Sequence, residues 1–451
     1  MERWHAERAW LGGPDLSENI TIEVDNGTIT RLIQNEDTPS GHHLKGIVIP
    51  GLVSAHSHAF HRALRGRTSD GEGNFWSWRK PMYELANRMS PSSYRALAIA
   101  VFAEMLTAGI TTVGEFHYLH HNEGGHPYED PNAMGSALID AAAYVGIRLT
   151  LIDTAYLTSD VAGSPVTPSQ ARFSDGTLDA WSERVSALSS DIAGHRLVRL
   201  GVAAHSVRGV PVSALGAIAD TARHLNAPLH VHVSEQLAEN QACIAQHGVS
   251  PVQLLAREGF LGRSTTLVHA THLTTDDIDT IAYSGSGVCL CPTTEADLGD
   301  GIGLAAELAR AGVLLSVGSD SNAIIDILDE ARRIEHYDRL RLHKRGIHQP
   351  ERLLIAATGA GAEALGWAGG GRIAEGSPAD FVVIDATTPE LAGTEASNIV
   401  GIVMAATRAS ITDVVVGGEL VVESGSPTKA PSSHERLSTL RSIWRTPGAM
   451  A

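Results

Sequence analysis

The chain is poor in cysteine, lysine and aromatic residues, and it has no long apolar run. Three cysteines in 451 residues, Cys243, Cys289 and Cys291, exclude a disulfide framework, and Cys289-Leu290-Cys291 is not a zinc-finger spacing. They read as small buried hydrophobes. No window approaches the roughly 18 continuous apolar residues of a spanning helix, and Met1-Glu2-Arg3-Trp4-His5 lacks the basic-then-apolar layout of a signal peptide, so a cytoplasmic protein is expected. Excess positive charge is missing too. A formal net charge of −17 leaves no basic face for nucleic acid or an anionic membrane, so neither is expected as a partner. An anionic substrate would have to be captured by a few local arginines.

What is present suffices for a large core and a smaller satellite: 43% of residues are hydrophobic, and the length exceeds that of an ordinary single domain. Both ends read as β-structure. Near the start, Ile20-Thr21-Ile22-Glu23-Val24 and Thr28-Ile29-Thr30-Arg31-Leu32 flank Asp25-Asn26-Gly27, and Asn-Gly supplies the positive φ that tight hairpin turns require. Near the end, Val414-Val415-Val416 and Glu419-Leu420-Val421-Val422 flank Gly417-Gly418, after another strand at Ala379–Ile384. The middle alternates helix and strand. Ser90-Pro91 caps a helix that stops at Gly109, and helices near 132–145 and 213–226 each feed an apolar run. Strands fall near 46–55, 110–116, 147–153, 199–204, 228–233, 265–269, 287–292 and 313–318.

Eight strands with intervening helices give an α/β fold, a parallel (β/α)8 barrel of the TIM type. The expected division is a composite β-sandwich from residues 1–45 and 370–426, a barrel over 46–369, and a tail over 427–451. In the tail Leu437, Leu440 and Trp444 lie at helical spacing. Segments 119–131 and 158–190 read as long loops over the barrel mouth, and 158–175 has no assignable structure.

Barrels of this type carry their reactive groups where strands end. His56 and His58 close the first strand and, two residues apart, point the same way, which suits a metal. His117 and Tyr118 follow the second strand, His205 the fourth, His232 and Glu235 the fifth, His269 the sixth and Asp320 the eighth. His230 faces the opposite way from His232 and reads as a packing residue.

This pattern resembles the amidohydrolase superfamily over essentially the whole chain, through the His-x-His after strand one, single histidines after strands five and six, and Gly318-Ser319-Asp320 after strand eight. The resemblance implies that His56, His58, His232 and Asp320 hold a metal. Branches that bridge two metals use a lysine after strand four. The chain has four lysines, Lys45, Lys80, Lys344 and Lys429, and none lies near 199–210, which favours one divalent ion. Zinc is the first expectation, and iron and manganese suit the same ligands. His232-Val233-Ser234-Glu235 matches the His-x-x-Glu of the mononuclear deaminases.

Within the superfamily the chain is similar to the formimidoylglutamate deiminases of histidine degradation. The similarity is carried by Ala55–Ala63, Asn74-Phe75-Trp76-Ser77-Trp78-Arg79, Glu115-Phe116-His117-Tyr118-Leu119-His120-His121, His205-Ser206-Val207-Arg208, Ser234-Glu235-Gln236 and Thr294–Gly301. It implies a small dicarboxylate amidine as substrate, held by His61, Arg79, Tyr118, His205 and Arg208, and a homodimer. Position 61 is His where some members of the family carry Gln, which leaves a related amidine open as the substrate. A metal-activated water needs a proton acceptor, assigned to Asp320 and His269, and the departing nitrogen needs a donor, assigned to Glu235. Two other readings remain open at this point. A deaminase of amino-heterocycles would want an aromatic pocket, against which 5% aromatic content weighs, and a non-catalytic scaffold would be expected to have lost ligands.

Overall fold

In the computed structural model, residues 2–37, 39–68, 75–395 and 397–444 are described. Sixteen strands among them form two eight-stranded sheets.

The first sheet is parallel and consecutive: β5 (Leu52–Ser57), β6 (Ile110–His117), β7 (Arg148–Ala155), β8 (Val198–Ala204), β9 (Leu229–Val233), β10 (Thr265–His269), β11 (Gly287–Leu290) and β12 (Leu315–Val317). Helices separate the strands, and nearly every strand residue is buried, as in a sheet covered on both faces. The ends of the sheet meet where Ser57 bridges Asp320 in parallel: Asp320 N donates to His56 O at 3.0 Å and His58 N to Asp320 O at 2.9 Å. Gly318 is required at this seam, because a Cβ there would lie 2.7 Å from the carbonyl oxygen of His56. The result is the expected (β/α)8 barrel.

The second sheet comes from both ends of the chain. It contains β1 (Glu2–Ala9), β2 (Ser17–Asp25), β3 (Thr28–Gln34), β4 (His42–Pro50), β13 (Phe381–Ile384), β14 (Ile411–Val416), β15 (Glu419–Glu423) and β16 (Ser426–Pro427) in the order β16-β15-β14-β13-β4-β1-β2-β3. Both expected hairpins are there, β2–β3 around Asn26-Gly27 and β14–β15 around Gly417-Gly418. Trp4, Ile22, Val48, Phe381 and Val415 centre an apolar core separate from that of the barrel.

Three expectations need correcting. The strand expected over 46–55 is two strands: residues up to Pro50 pair in the second sheet, and the chain crosses into the barrel at Gly51, where any Cβ would collide with the Thr111 side chain. The expected loop over 158–190 contains a helix, Leu178–Asp191, capped by Thr177 and burying Trp181, Val185 and Leu188 at helical spacing. Within the unassigned 158–175, Pro168–Phe173 forms a 3-10 turn. The tail forms a helix, Ser433–Ser442, and Leu440, Ile443 and Trp444 pack on this chain's own core, with Trp444 Nε1 donating to Ala63 O at 2.8 Å. Residues 445–451 of the expected tail lie outside the described residues. Among the described residues no helix is long and apolar enough to cross a membrane.

Arg184, from the corrected helix, is buried between Asp153 at 2.6 Å and Asp175 at 2.8 Å, joining the helix to β7. Burial alone would raise the Asp153 carboxyl, but Arg184 and His120 outweigh it and hold it below its ordinary value. Asp175 is lowered in the same manner by His121 and Arg184. Replacing Arg184 with Met leaves two buried carboxylates uncompensated and is expected to cost about 3–5 kcal/mol in denaturant unfolding at neutral pH. The folded carboxyls sit below their unfolded values, so the stability they contribute is present above about pH 4 and lost as pH falls through the folded values. The gap between wild type and R184M should therefore narrow in acid.

Candidate active site

His56 is the penultimate residue of β5 and His58 directly follows that strand, His232 lies on β9, and Asp320 follows β12 by three residues. All four are buried and converge. His56 Nε2 lies 3.2 Å from His58 Nε2 and 3.1 Å from His232 Nε2, and Asp320 Oδ1 is 3.5 Å from both His56 and His58. Nitrogens bound at 2.0–2.1 Å to one tetrahedral ion stand about 3.4 Å apart, so this spacing fits a shared cation.

Tautomers argue the same way. Nδ1 of His58 lies 2.9 Å from Phe116 O, and Nδ1 of His232 lies 2.9 Å from His205 O. Donating there places each ring's only proton on Nδ1 and turns a bare Nε2 lone pair on the shared centre. Burial first, then the neighbouring histidines, holds both rings well below their ordinary pKa and therefore neutral. Converging lone pairs beside a carboxylate are a donor set for one divalent ion.

The backbone here is strained and braced. Asp320 (φ 42°), Asn322 (φ 55°) and His269 (φ 68°) occupy the left-handed region without being glycine. Asn322 Nδ2 bonds Ser57 Oγ and His58 O at 3.0 Å and Asp320 O at 3.2 Å, tying the first and last strands at the cluster.

Glu235 and His269 stand beside the four. His269 Nε2 is 3.9 Å from Glu235 and 3.8 Å from Asp320, while its Nδ1 is 3.4 Å from Glu295. Burial would lower this imidazole, but Glu235, Glu295 and Asp320 outweigh it and hold the ring well above its ordinary value. Burial, with Asp320 and Glu239 adding to it, raises the Glu235 carboxyl against the pull of His269 and Arg208. A carboxyl held toward neutrality beside an imidazole held toward its cation is a pair able to exchange a proton.

The pocket above these groups offers about 580 Å³ of atom-free space, part of it open to solvent. His61, Arg79, Tyr118, His205 and Arg208 all line it, together with His58, His232, Glu235, His269 and Asp320. His56 lies beneath, among the converging donors. His61 Nε2 is 2.9 Å from Tyr118 Oη, and burial lowers the His61 ring to about 3, so it is neutral. His205 Nδ1 is 3.0 Å from Ser206 Oγ. Arg208 is held by Glu235 at 3.2 Å and Glu239 at 2.8 Å. Arg79 reaches the Tyr83 hydroxyl four residues along its own helix. The sequence segment containing Arg79 begins at Asn74, which lies outside the described residues.

His117 does not reach the mouth. It forms a second buried group with His120 and Asp153, whose ligating atoms lie within 4.8 Å of one another. Asp153 there already accepts from Arg184 and, at 3.1 Å, from Trp181 Nε1, so the cation in that group is a guanidinium. His230 turns away as expected, its Nε2 lying 2.8 Å from Ala364 O.

Sequence reasoning missed several contributors. Glu239 carried no signal of its own, because its role arises from a fold contact with Arg208. Glu295 lies in a segment quoted for its resemblance but given no part. Tyr156 directly follows β7, and reading the end of the third strand would have found it. Trp78, Tyr83, Tyr118, Tyr156 and Phe173 all face the pocket, so a chain with few aromatic residues concentrates them here. The composition argument against an aromatic pocket therefore fails.

The amidohydrolase family profile matches residues 47–421, more than half of the chain. The chain belongs to the amidohydrolase family. A formimidoylglutamate deiminase of Pseudomonas aeruginosa is 35% identical over 441 residues, covering 94% of this chain and 95% of that protein. An 8-oxoguanine deaminase of the same organism is 28% identical over 93% of this chain and 94% of its own length. Among solved structures, an amidohydrolase from Brucella melitensis superposes with a TM-score of 0.89 at 31% identity, covering 99% of this amidohydrolase and all of that chain. An adenosine deaminase from Xanthomonas campestris with bound zinc shares the fold at 23% identity and a TM-score of 0.85, over 98% of this chain and 97% of its own. Membership of the family, with all the ligating side chains gathered in the barrel mouth, makes this chain an enzyme of the amidohydrolase type and sets the scaffold reading aside.

Proposed function

We propose that this amidohydrolase hydrolyses N-formimino-L-glutamate to N-formyl-L-glutamate and ammonia, with one zinc ion resident at His56, His58, His232 and Asp320. The observation that carries this reading is the pair of arginines, Arg79 and Arg208, lining one pocket with the converging histidines and Glu235. Arginine matches a carboxylate with two parallel donors, and a substrate with two carboxylates and one formimino group asks for two such forks and one hydrolytic centre. Whole-chain similarity to a formimidoylglutamate deiminase points the same way.

A divalent ion at this donor set would lower the pKa of a water from 15.7 to about 7, supplying a nucleophile at neutral pH. The residues do the rest. As water adds to the formimino carbon and the C–O bond forms, Asp320 takes one of its protons, and the cationic His269, 3.8 Å from Asp320 and 3.9 Å from Glu235, relays it to Glu235. Glu235 gives a proton to the amidine nitrogen, so that the C–N bond breaks with ammonia, not an amide anion, departing. The hydroxyl proton of the tetrahedral adduct leaves by the same relay as the C=O of the formyl group forms. It reaches the nitrogen through Glu235 as the second of the two protons that ammonia carries away. His61 and Tyr118 present hydrogen-bonding groups on the wall near His58, and the histidine at position 61 can donate there as Gln would.

The aromatic lining favours a second reading, deamination of an amino-heterocycle, which the 8-oxoguanine deaminase relative also supports. Ammonia release from N-formimino-L-glutamate, 8-oxoguanine and S-adenosylhomocysteine at equal concentration separates the two. Turnover of the first alone supports the proposal, and turnover of a purine alone overturns it. Arg79→Met should raise KM for N-formimino-L-glutamate about 10–100-fold, the worth of a charge-assisted contact, while kcat changes far less.

A further inference from the structure

A second cavity, apart from the substrate pocket, is lined by four arginines in a chain of net charge −17. Arg62, Arg65, Arg408 and Arg436 face it from three separate parts of the chain. Three of these guanidinium groups turn toward one carboxylate. Arg62 meets Glu104 at 2.9 Å, Arg408 at 3.2 Å and Arg65 at 4.0 Å. Arg436, on the tail helix, has a buried Nη1 with no hydrogen-bond partner. Asp326 also lines the cavity, but its carboxylate caps its own helix at Asp329 N and accepts Arg408 N. Four guanidinium charges therefore face two carboxylates, one of them engaged by backbone donors.

We infer that this cavity is a binding site for a small oxyanion, a phosphate or a carboxylate, gripped by Arg65, Arg408 and Arg436. Guanidinium forks match such oxygens in pairs, and an arriving anion would relieve the mutual repulsion of the cluster and satisfy the orphaned Nη1. The site is distinct from the substrate pocket, since no residue lines both. It is nonetheless connected to it. Arg62 belongs to the short turn Ala59–Leu64 that also carries His61, and Arg65 ends that turn. The tail closes over the same turn through Trp444, whose ring takes the Arg67 guanidinium at 4.8 Å. An anion held here would fix the tail helix against the turn that positions one wall of the active site.

Calorimetric titration of the full chain with inorganic phosphate and, separately, with glutarate, at constant ionic strength set by chloride, tests the inference. Arg65 and Arg408 are both about half exposed, so R65A/R408A should fold as wild type does. Wild type is expected to bind at least one of the two anions, R65A/R408A to bind it about tenfold or more weakly, and Arg79→Met, altered in the substrate pocket, to bind it as wild type does. The tighter anion identifies the ligand class. Equal binding by wild type and R65A/R408A, loss of binding in R79M instead, or no binding of either anion by wild type overturns it. Should the double variant fold poorly, Arg436→Gln must show the same weakening.

Discussion

Replacing Glu235 with Gln is expected to lower kcat by about 10³-fold, within the range that a positioned general acid supplies, while the bound metal and the melting temperature remain those of wild type. The shape of the side chain is kept and its proton is lost. Glu235 is not one of the converging donors, so the ion should stay. Its carboxyl is held toward neutrality by burial, 3.9 Å from His269, so a neutral amide in its place is expected to change the local charge little. Glu239 still holds Arg208 at 2.8 Å. Steady-state kinetics beside metal analysis of the same sample checks this. A variant with a tenth or more of wild-type kcat would remove Glu235 from the proton path.

The second large effect is expected from His232→Ala. Its Nε2 lies 3.1 Å from that of His56 and its Nδ1 is anchored on His205 O, so the ring contributes a lone pair and the direction in which it points. Losing a hydrogen-bond partner of a metal ligand costs 10–100-fold in affinity, and losing the ligand itself should cost more than about 100-fold. Activity should fall to the level of chelator-treated wild type. Added zinc should restore the chelated wild type and leave the variant inactive. Full activity in His232→Ala would exclude the cluster as the hydrolytic centre.

Much of this site was legible in the sequence because a parallel barrel turns strand order into geometry. Once eight strands were counted, the residues that end them had to meet at one mouth, and His56, His58, His232, His269 and Asp320 do. What escaped has physical reasons. The run Gly46–Val53 is apolar throughout because β4 and β5 are both buried, so nothing in its pattern marks the crossing between sheets at Gly51. The helix Leu178–Asp191 has a clear cap and a buried stripe, but its preceding segment has no periodicity and obscured it. Phe173 lines the pocket, and Glu239 holds Arg208 there, through contacts between distant parts of the chain, which no local spacing records. Aromatic content, averaged over the chain, says nothing about where the rings gather.

The account's central claim is that distant imidazoles and an aspartate grip one ion that makes water reactive. Metal content of the purified protein, measured by mass spectrometry for wild type and His232→Ala, tests it most directly. One equivalent of a divalent metal per wild-type chain, and almost none in the variant, is the expected result; two equivalents, or the same content in both proteins, would contradict it.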